Sequence, residues 1–176
     1  MTTADVARTS LVVFVVLVVQ HALLDSVRVD GAHPEVMFLL AAAAGYVGGA
    51  ERGAAIGFFV GLLADLFVST PFGLSALVGC LVAFATGTAT SGLVRSSRGL
   101  AVVSLTAGTV AALVGYGVLT AVLGRPGALS VDLAPTLVVA TPAAALLAVP
   151  VHALVRWAVP PAAPSASSVS PGALGR

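Results

Sequence analysis

The chain has 176 residues, 59% of them hydrophobic and only 9% charged, where an ordinary soluble domain carries roughly 25% charge. With a mean hydropathy of +1.10, lipid is the expected solvent. Net charge is +1 and every basic side chain is an arginine, so a few scattered cations cannot form the phosphate-tracking patch that nucleic acid binding needs; the single cysteine, Cys80, excludes a disulfide scaffold and a cysteine-based metal site.

Thr9 to Leu24 is the first apolar run, with Gln20 and His21 near its far end. It has signal-peptide character, but further long apolar segments follow and no cleavage context precedes Asp25, so it reads as a retained span. Asp25 to Glu35 is an acid-rich aqueous loop, and Pro34 suits a helix start. Val36 to Ala50 is a short second span, stopped by Glu51 and Arg52. Gly53 to about Val68 is the third, ended by the Ser69 to Gly73 turn.

The fourth span covers Leu74 to Val94, with Gly79, Ala83 and Gly87 every fourth residue, and ends at the Arg95 to Arg98 turn. The uncharged fifth occupies Gly99 to Leu123. After a polar turn, Pro135 opens a sixth reaching Ala158, in which Pro142 and Pro150 are expected to kink or interrupt the helix. The stretch 159–176 is rich in Pro, Ser and Ala and reads as a disordered cytoplasmic tail.

These breaks predict an all-α polytopic membrane protein, six transmembrane helices in one bundle over residues 1–158, with spans at about 9–24, 36–50, 53–68, 74–94, 99–123 and 135–158. With both termini inside, Arg8, Arg52, Arg95, Arg98, Arg156 and Arg176 are cytoplasmic and only Arg28 and Arg125 are outside, as the positive-inside rule prefers. Merging the second and third spans would need about 50 Å of helix against roughly 30 Å of hydrocarbon. It would also move Arg95, Arg98, Arg156 and Arg176 outside.

Gly53, Gly57, Gly61 and Asp65 recur every fourth residue, forming a slanting stripe that allows close helix approach. The stripe serves either packing within the chain or contact with a protein partner. A carboxylate at mid-bilayer costs roughly 2.5 to 3.5 kcal/mol on insertion scales, so Asp65 needs compensation. It can accept hydrogen bonds from Ser69, Thr70 or the turn amides, pair across helices or with a partner, or serve as a proton or cation site. Gln20, His21, Tyr46 and Tyr116 are candidates for interhelical polar contacts. Arg95, Arg98, Arg156 and Trp157 suit membrane-interface anchoring. No nucleotide-binding loop, metalloprotease motif or nucleophile elbow is present, so no catalytic residue, metal or cofactor is expected.

GFFVGLLADLFVSTPFGLSAL, from Gly57 onward, resembles the signature region of the bacterial rod shape-determining MreD family, in which a glycine-rich helix leads into a GLLxD element, a turn and a second glycine. Gly57, Gly61, Leu62, Leu63, Asp65 and Gly73 match, with Pro71 in the turn. The resemblance extends loosely over Thr9 to Trp157 as length and order of spans. It implies a non-enzymatic inner-membrane component of the elongation machinery. Such a protein works with the membrane-anchored MreC and, directly or indirectly, with the lateral-wall peptidoglycan synthase and the actin-like MreB. The family's fold is similar to substrate-binding membrane subunits of vitamin transporters, so the alternative expectation is a small-molecule binder in which Gln20, His21, Tyr46, Tyr116 and Asp65 converge.

Overall fold

Gly49 decides whether the long apolar stretch after residue 35 is one helix or two. Its backbone takes φ 81° and ψ 178°, a region open to glycine and strained for other residues, and the chain reverses there. The computed structural model, which describes residues 3–20, 36–67, 73–91, 98–124 and 133–160, is an all-α six-helix bundle. Its helices are α1 (Thr3–Val19), α2 (Val36–Gly48), α3 (Ala50–Asp65), α4 (Leu74–Ala89), α5 (Arg98–Val122) and α6 (Leu133–Ala158).

Several boundaries differ from the sequence expectation. Glu51 and Arg52 do not stop the second helix. Gly49 stops it, and the two charged residues, both exposed, lie in the first turn of α3. Helix α1 already includes Thr3 to Arg8, ahead of the apolar run. Helix α6 is not interrupted at Pro142 or Pro150. Both prolines are exposed, on the outer face where a helix curved around its core has room for the ring. Val159 belongs to the bundle rather than the tail: it is buried, and its N–H donates to the Val155 carbonyl at 2.7 Å. Residues 161–176 of the tail, and the loop with Pro34, lie outside the described residues.

Helix α2 is the centre. All of its residues are buried, and it touches every other helix of the bundle. A helix apolar on every side has no face that prefers water, and VMFLLAAAAGYVG is such a sequence. Helix α3 runs antiparallel to it, with Gly53 against Gly45. Helix α4 runs parallel, with Ala83 against Gly45 and Gly79 against Ala41. Antiparallel α5 lays Gly108 on Ala42 and Tyr116 on Phe38. Parallel α6 brings His152 edge-on to Tyr46, with ring centroids 5.4 Å apart.

Helix α1 is held more lightly. The Thr9 hydroxyl donates to the Asp5 carbonyl at 2.8 Å and reaches the Ala158 carbonyl at 3.4 Å. The Arg8 guanidinium lies over the Trp157 ring, 5.5 Å from its centre, within cation–π range. Odd and even helices thus alternate in direction. Arg8, Arg52, Arg98 and Arg156, the arginines among the described residues, fall at one end of the bundle, and Gln20 and Asp65 fall at the other.

Two helices are long and apolar enough to cross a membrane among the described residues, Arg98–Val122 and the Ala140–Ala158 part of α6. The outer faces carry Phe14, Phe59, Phe67, Leu81, Val103, Val122, Val138 and Leu146, all more than half exposed. So much apolar area on the surface, around a core that is also apolar, marks a membrane-associated protein.

Candidate functional site

Of the residues singled out in the sequence, Gly57, Gly61, Asp65 and Gly73 meet along the α3–α4 hairpin. Two stripes of small residues, one on each helix, face each other and leave no room for a β-carbon. On Gly57 it would stand 2.9 Å from the Gly79 carbonyl carbon and from the Ala83 Cβ. On Gly61 it would stand 2.6 Å from the Ala76 Cα, and on Gly87, in α4, 2.6 Å from the Ala50 Cα. Gly53 turns to the other neighbour: its β-carbon would lie 2.7 Å from the Gly45 nitrogen in α2. The stripe of Gly53, Gly57 and Gly61 therefore lies against the chain's own backbone, which in lipid gains dispersion contacts where burial from solvent gains little.

Asp65 ends the stripe and is only 4% exposed. Its carboxylate lies at the N-terminus of α4, where Oδ2 accepts the Gly73 N–H at 2.8 Å and the Ala76 N–H at 3.4 Å, and Oδ1 accepts the Ser75 N–H at 3.2 Å. The first amides of any helix lack partners within that helix. Gly73, at the N-cap position with φ 97°, has no side chain to supply one. Asp65 provides from the preceding helix what a capping Asp or Ser would provide locally, and its negative charge sits at the positive end of the α4 dipole. Hydrogen bonds to a charged group are worth roughly 1.5–3 kcal/mol each. A set of them outweighs the 2.5 to 3.5 kcal/mol insertion cost.

The same device recurs one hairpin earlier. Gln20, 5% exposed at the end of α1, accepts the Val36 N–H through Oε1 at 2.9 Å, capping α2 as Asp65 caps α4. The sequence marks Gln20 as an interhelical polar residue but not its partner, because the acceptor's target is a backbone amide and leaves no side-chain signature. For α4 the signal was available: Gly73, which precedes Leu74, has no side chain to cap with.

The other candidate polar residues do not join these caps. Tyr46 lies toward the arginine end, edge-on to His152. Tyr116 tilts against Phe38, centroids 6.0 Å apart. Three hydroxyls bond along their own chain, Thr90 on Thr86 at 2.7 Å and Thr109 on Leu105 at 2.9 Å, with Thr120 on Tyr116, whereas the Thr106 hydroxyl is buried without a hydrogen-bond partner. Arg98 and Arg156 are exposed at helix ends and Trp157 is 57% exposed. His21, Pro71 and Arg95, with Ser69 and Thr70, lie outside the described residues.

No cluster of three or more metal-ligating side chains forms among the described residues. A cleft between α1, α2, α3 and α6 is walled by Thr9 and otherwise by apolar side chains, among them Val12, Leu40, Ile56 and Val155; one hydroxyl is not the set of convergent polar groups that orients a small ligand. Comparison with protein-family models, with curated proteins and with solved structures finds no match.

Proposed function

We propose that this chain is a non-enzymatic membrane scaffold of the MreD type. In this reading it binds MreC and helps organise lateral peptidoglycan synthesis by the elongation machinery, with the synthase and MreB as direct or indirect partners. The observation that carries the reading is the use of the GLLxD-type residues. Gly57 and Gly61 are packed against α4 and Asp65 is spent on capping it, so the segment that resembles the family acts as an internal fastener of the bundle. Its outward face, with Phe58, Phe59 and Leu63 exposed, is left for lipid or a partner helix.

The bundle crosses the inner membrane six times with both termini in the cytoplasm. The gathering of Arg8, Arg52, Arg98 and Arg156 at one end supports this through the positive-inside rule. A reporter fused to the C-terminus should be active in the cytoplasm and silent outside.

The vitamin-transporter alternative is less well supported. It needs polar groups that meet around a ligand, and among the described residues Gln20 and Asp65 are at one end of the bundle while Tyr46 is toward the other. The two readings separate by affinity purification of the full chain from native membranes. Recovery of MreC without saturable binding of vitamin-like ligands supports the scaffold. Saturable binding without MreC overturns it.

A further inference from the structure

Helix α1 is joined to the bundle by a different kind of contact from that between its neighbours. Helices α2, α3 and α4 meet backbone to backbone at Gly45, Gly53, Gly57 and Gly79, the close approach that holds helices together where lipid is as apolar as the interface. Helix α1 contains no glycine, comes close mainly to α6 and α2, and buries the side chains of Val12, Val13, Val16 and Leu17. Moving that face from protein into lipid forfeits dispersion contacts and little else. Its polar ties and the filling of its seam therefore decide how firmly α1 is held.

The two ends of α1 differ in both respects. At the far end, the buried Gln20 side chain accepts the Val36 N–H at 2.9 Å, and breaking that bond strands an amide in apolar surroundings. At the arginine end, the Thr9 hydroxyl has one proton and gives it to the Asp5 carbonyl within α1 at 2.8 Å, so its approach to the Ala158 carbonyl at 3.4 Å adds little. What crosses the seam to α6 there is Arg8 over the Trp157 ring. Both side chains are exposed, where a cation–π contact is weak. The cleft lined by Thr9, Val12, Val13, Leu40, Ala44 and Val155 lies in this same half, so the seam is also filled less completely there.

We propose that α1 is a strap that pivots on the Gln20–Val36 tie and opens at its arginine end, with Arg8 on Trp157 as the latch. Opening uncovers a seat formed by Leu40 and Ala44 of α2, Ile56 of α3 and Val155 of α6. The inference rests on the bundle lying in lipid, because that seat is apolar and in water would hold α1 shut. The lever arm sets the expected motion: along the helix, Leu11 lies about 14 Å from Gln20 and Val18 only about 3 Å.

The test uses the full chain with Cys80→Ser, carrying pairs of nitroxide labels at exposed sites and reconstituted in vesicles of phosphatidylcholine and phosphatidylglycerol. Double electron–electron resonance gives the distance distribution of each pair. Leu11→Cys with Phe84→Cys reads the arginine end of α1 against α4, and Val18→Cys with Leu77→Cys reads its far end. Phe84→Cys with Val103→Cys compares α4 with α5 and does not involve α1. The expected result is a second, longer distance at the first pair, held by on the order of a tenth of the molecules, and a single distance at the other two. Arg8→Gln, which takes the cation off the Trp157 ring, should raise the longer population about two- to fivefold. A single distance at the first pair overturns the proposal, as does a longer population that Arg8→Gln leaves unchanged. An equal second population at the far-end pair also overturns it, since α1 would then leave as a whole rather than pivot. Collision of the labels with dissolved oxygen against a nickel chelate reports their exposure to lipid independently, so failure of the membrane reading is seen apart from failure of the strap.

Discussion

Asp65 shows how backbone amides can hold one acidic side chain at the end of an apolar helix. The carboxylate is held by the Gly73, Ser75 and Ala76 amides, so its removal strands several donors at once. Asp65→Ala should cost about 2 to 4 kcal/mol, combining a lost cap with unsatisfied buried amides. Asp65→Asn keeps one acceptor oxygen and should cost about half as much. Thermal stability of the purified full chain, ordered wild type, Asn, Ala, checks the series. That Asp65 needed compensation was legible from its apolar surroundings, and the nearby turn made backbone amides a natural source. The bonds come from Gly73, the last residue of that turn, and from the first turn of α4; Ser69 and Thr70 lie outside the described residues.

At the scale of elements, the two small-residue stripes were each visible as a four-residue repeat, Gly53 to Asp65 and Gly79 to Gly87. Periodicity cannot say which stripes face each other. The contacts pair them antiparallel, Gly57 with Gly79 and Gly61 with Ser75 and Ala76. Gly57→Ala and Gly61→Ala should each destabilise the bundle by about 1–3 kcal/mol, since the added methyl meets backbone that cannot retreat. Gly115→Ala, where nothing lies within 4 Å of the new carbon, should be neutral or stabilising by about 0.5–1 kcal/mol through helix propensity. Equal losses at all three positions, in thermal unfolding of the reconstituted protein, would mean that close packing is not what these glycines supply. The break at Gly49 was misplaced by a few residues because Glu51 and Arg52 look like a stop. They are instead tolerated at the water-facing start of α3, where Glu51 also suits the helix dipole.

For the whole molecule, hydropathy indicated the number of helices but not their arrangement. A soluble bundle reveals its centre through amphipathic stripes. In lipid, the inner and outer faces are both apolar, and the pattern that would single out α2 as the core is erased. Its run of alanines and glycines was the remaining hint, since small residues mark close approach. The same physics explains why Gln20 and Asp65 matter more than their number: where water is absent, the start of each helix must be completed from within the fold.

The glycine stripe and Asp65 fasten α4 to α3 from within the bundle, and one comparison separates that internal role from contact with the proposed partner. The full chain and its Asp65→Ala variant are co-expressed with MreC, and MreC recovery is measured per folded molecule alongside thermal stability. The account predicts a clear loss of stability with MreC recovery per folded molecule unchanged. Unchanged stability with MreC lost would contradict it and place Asp65 at the partner interface.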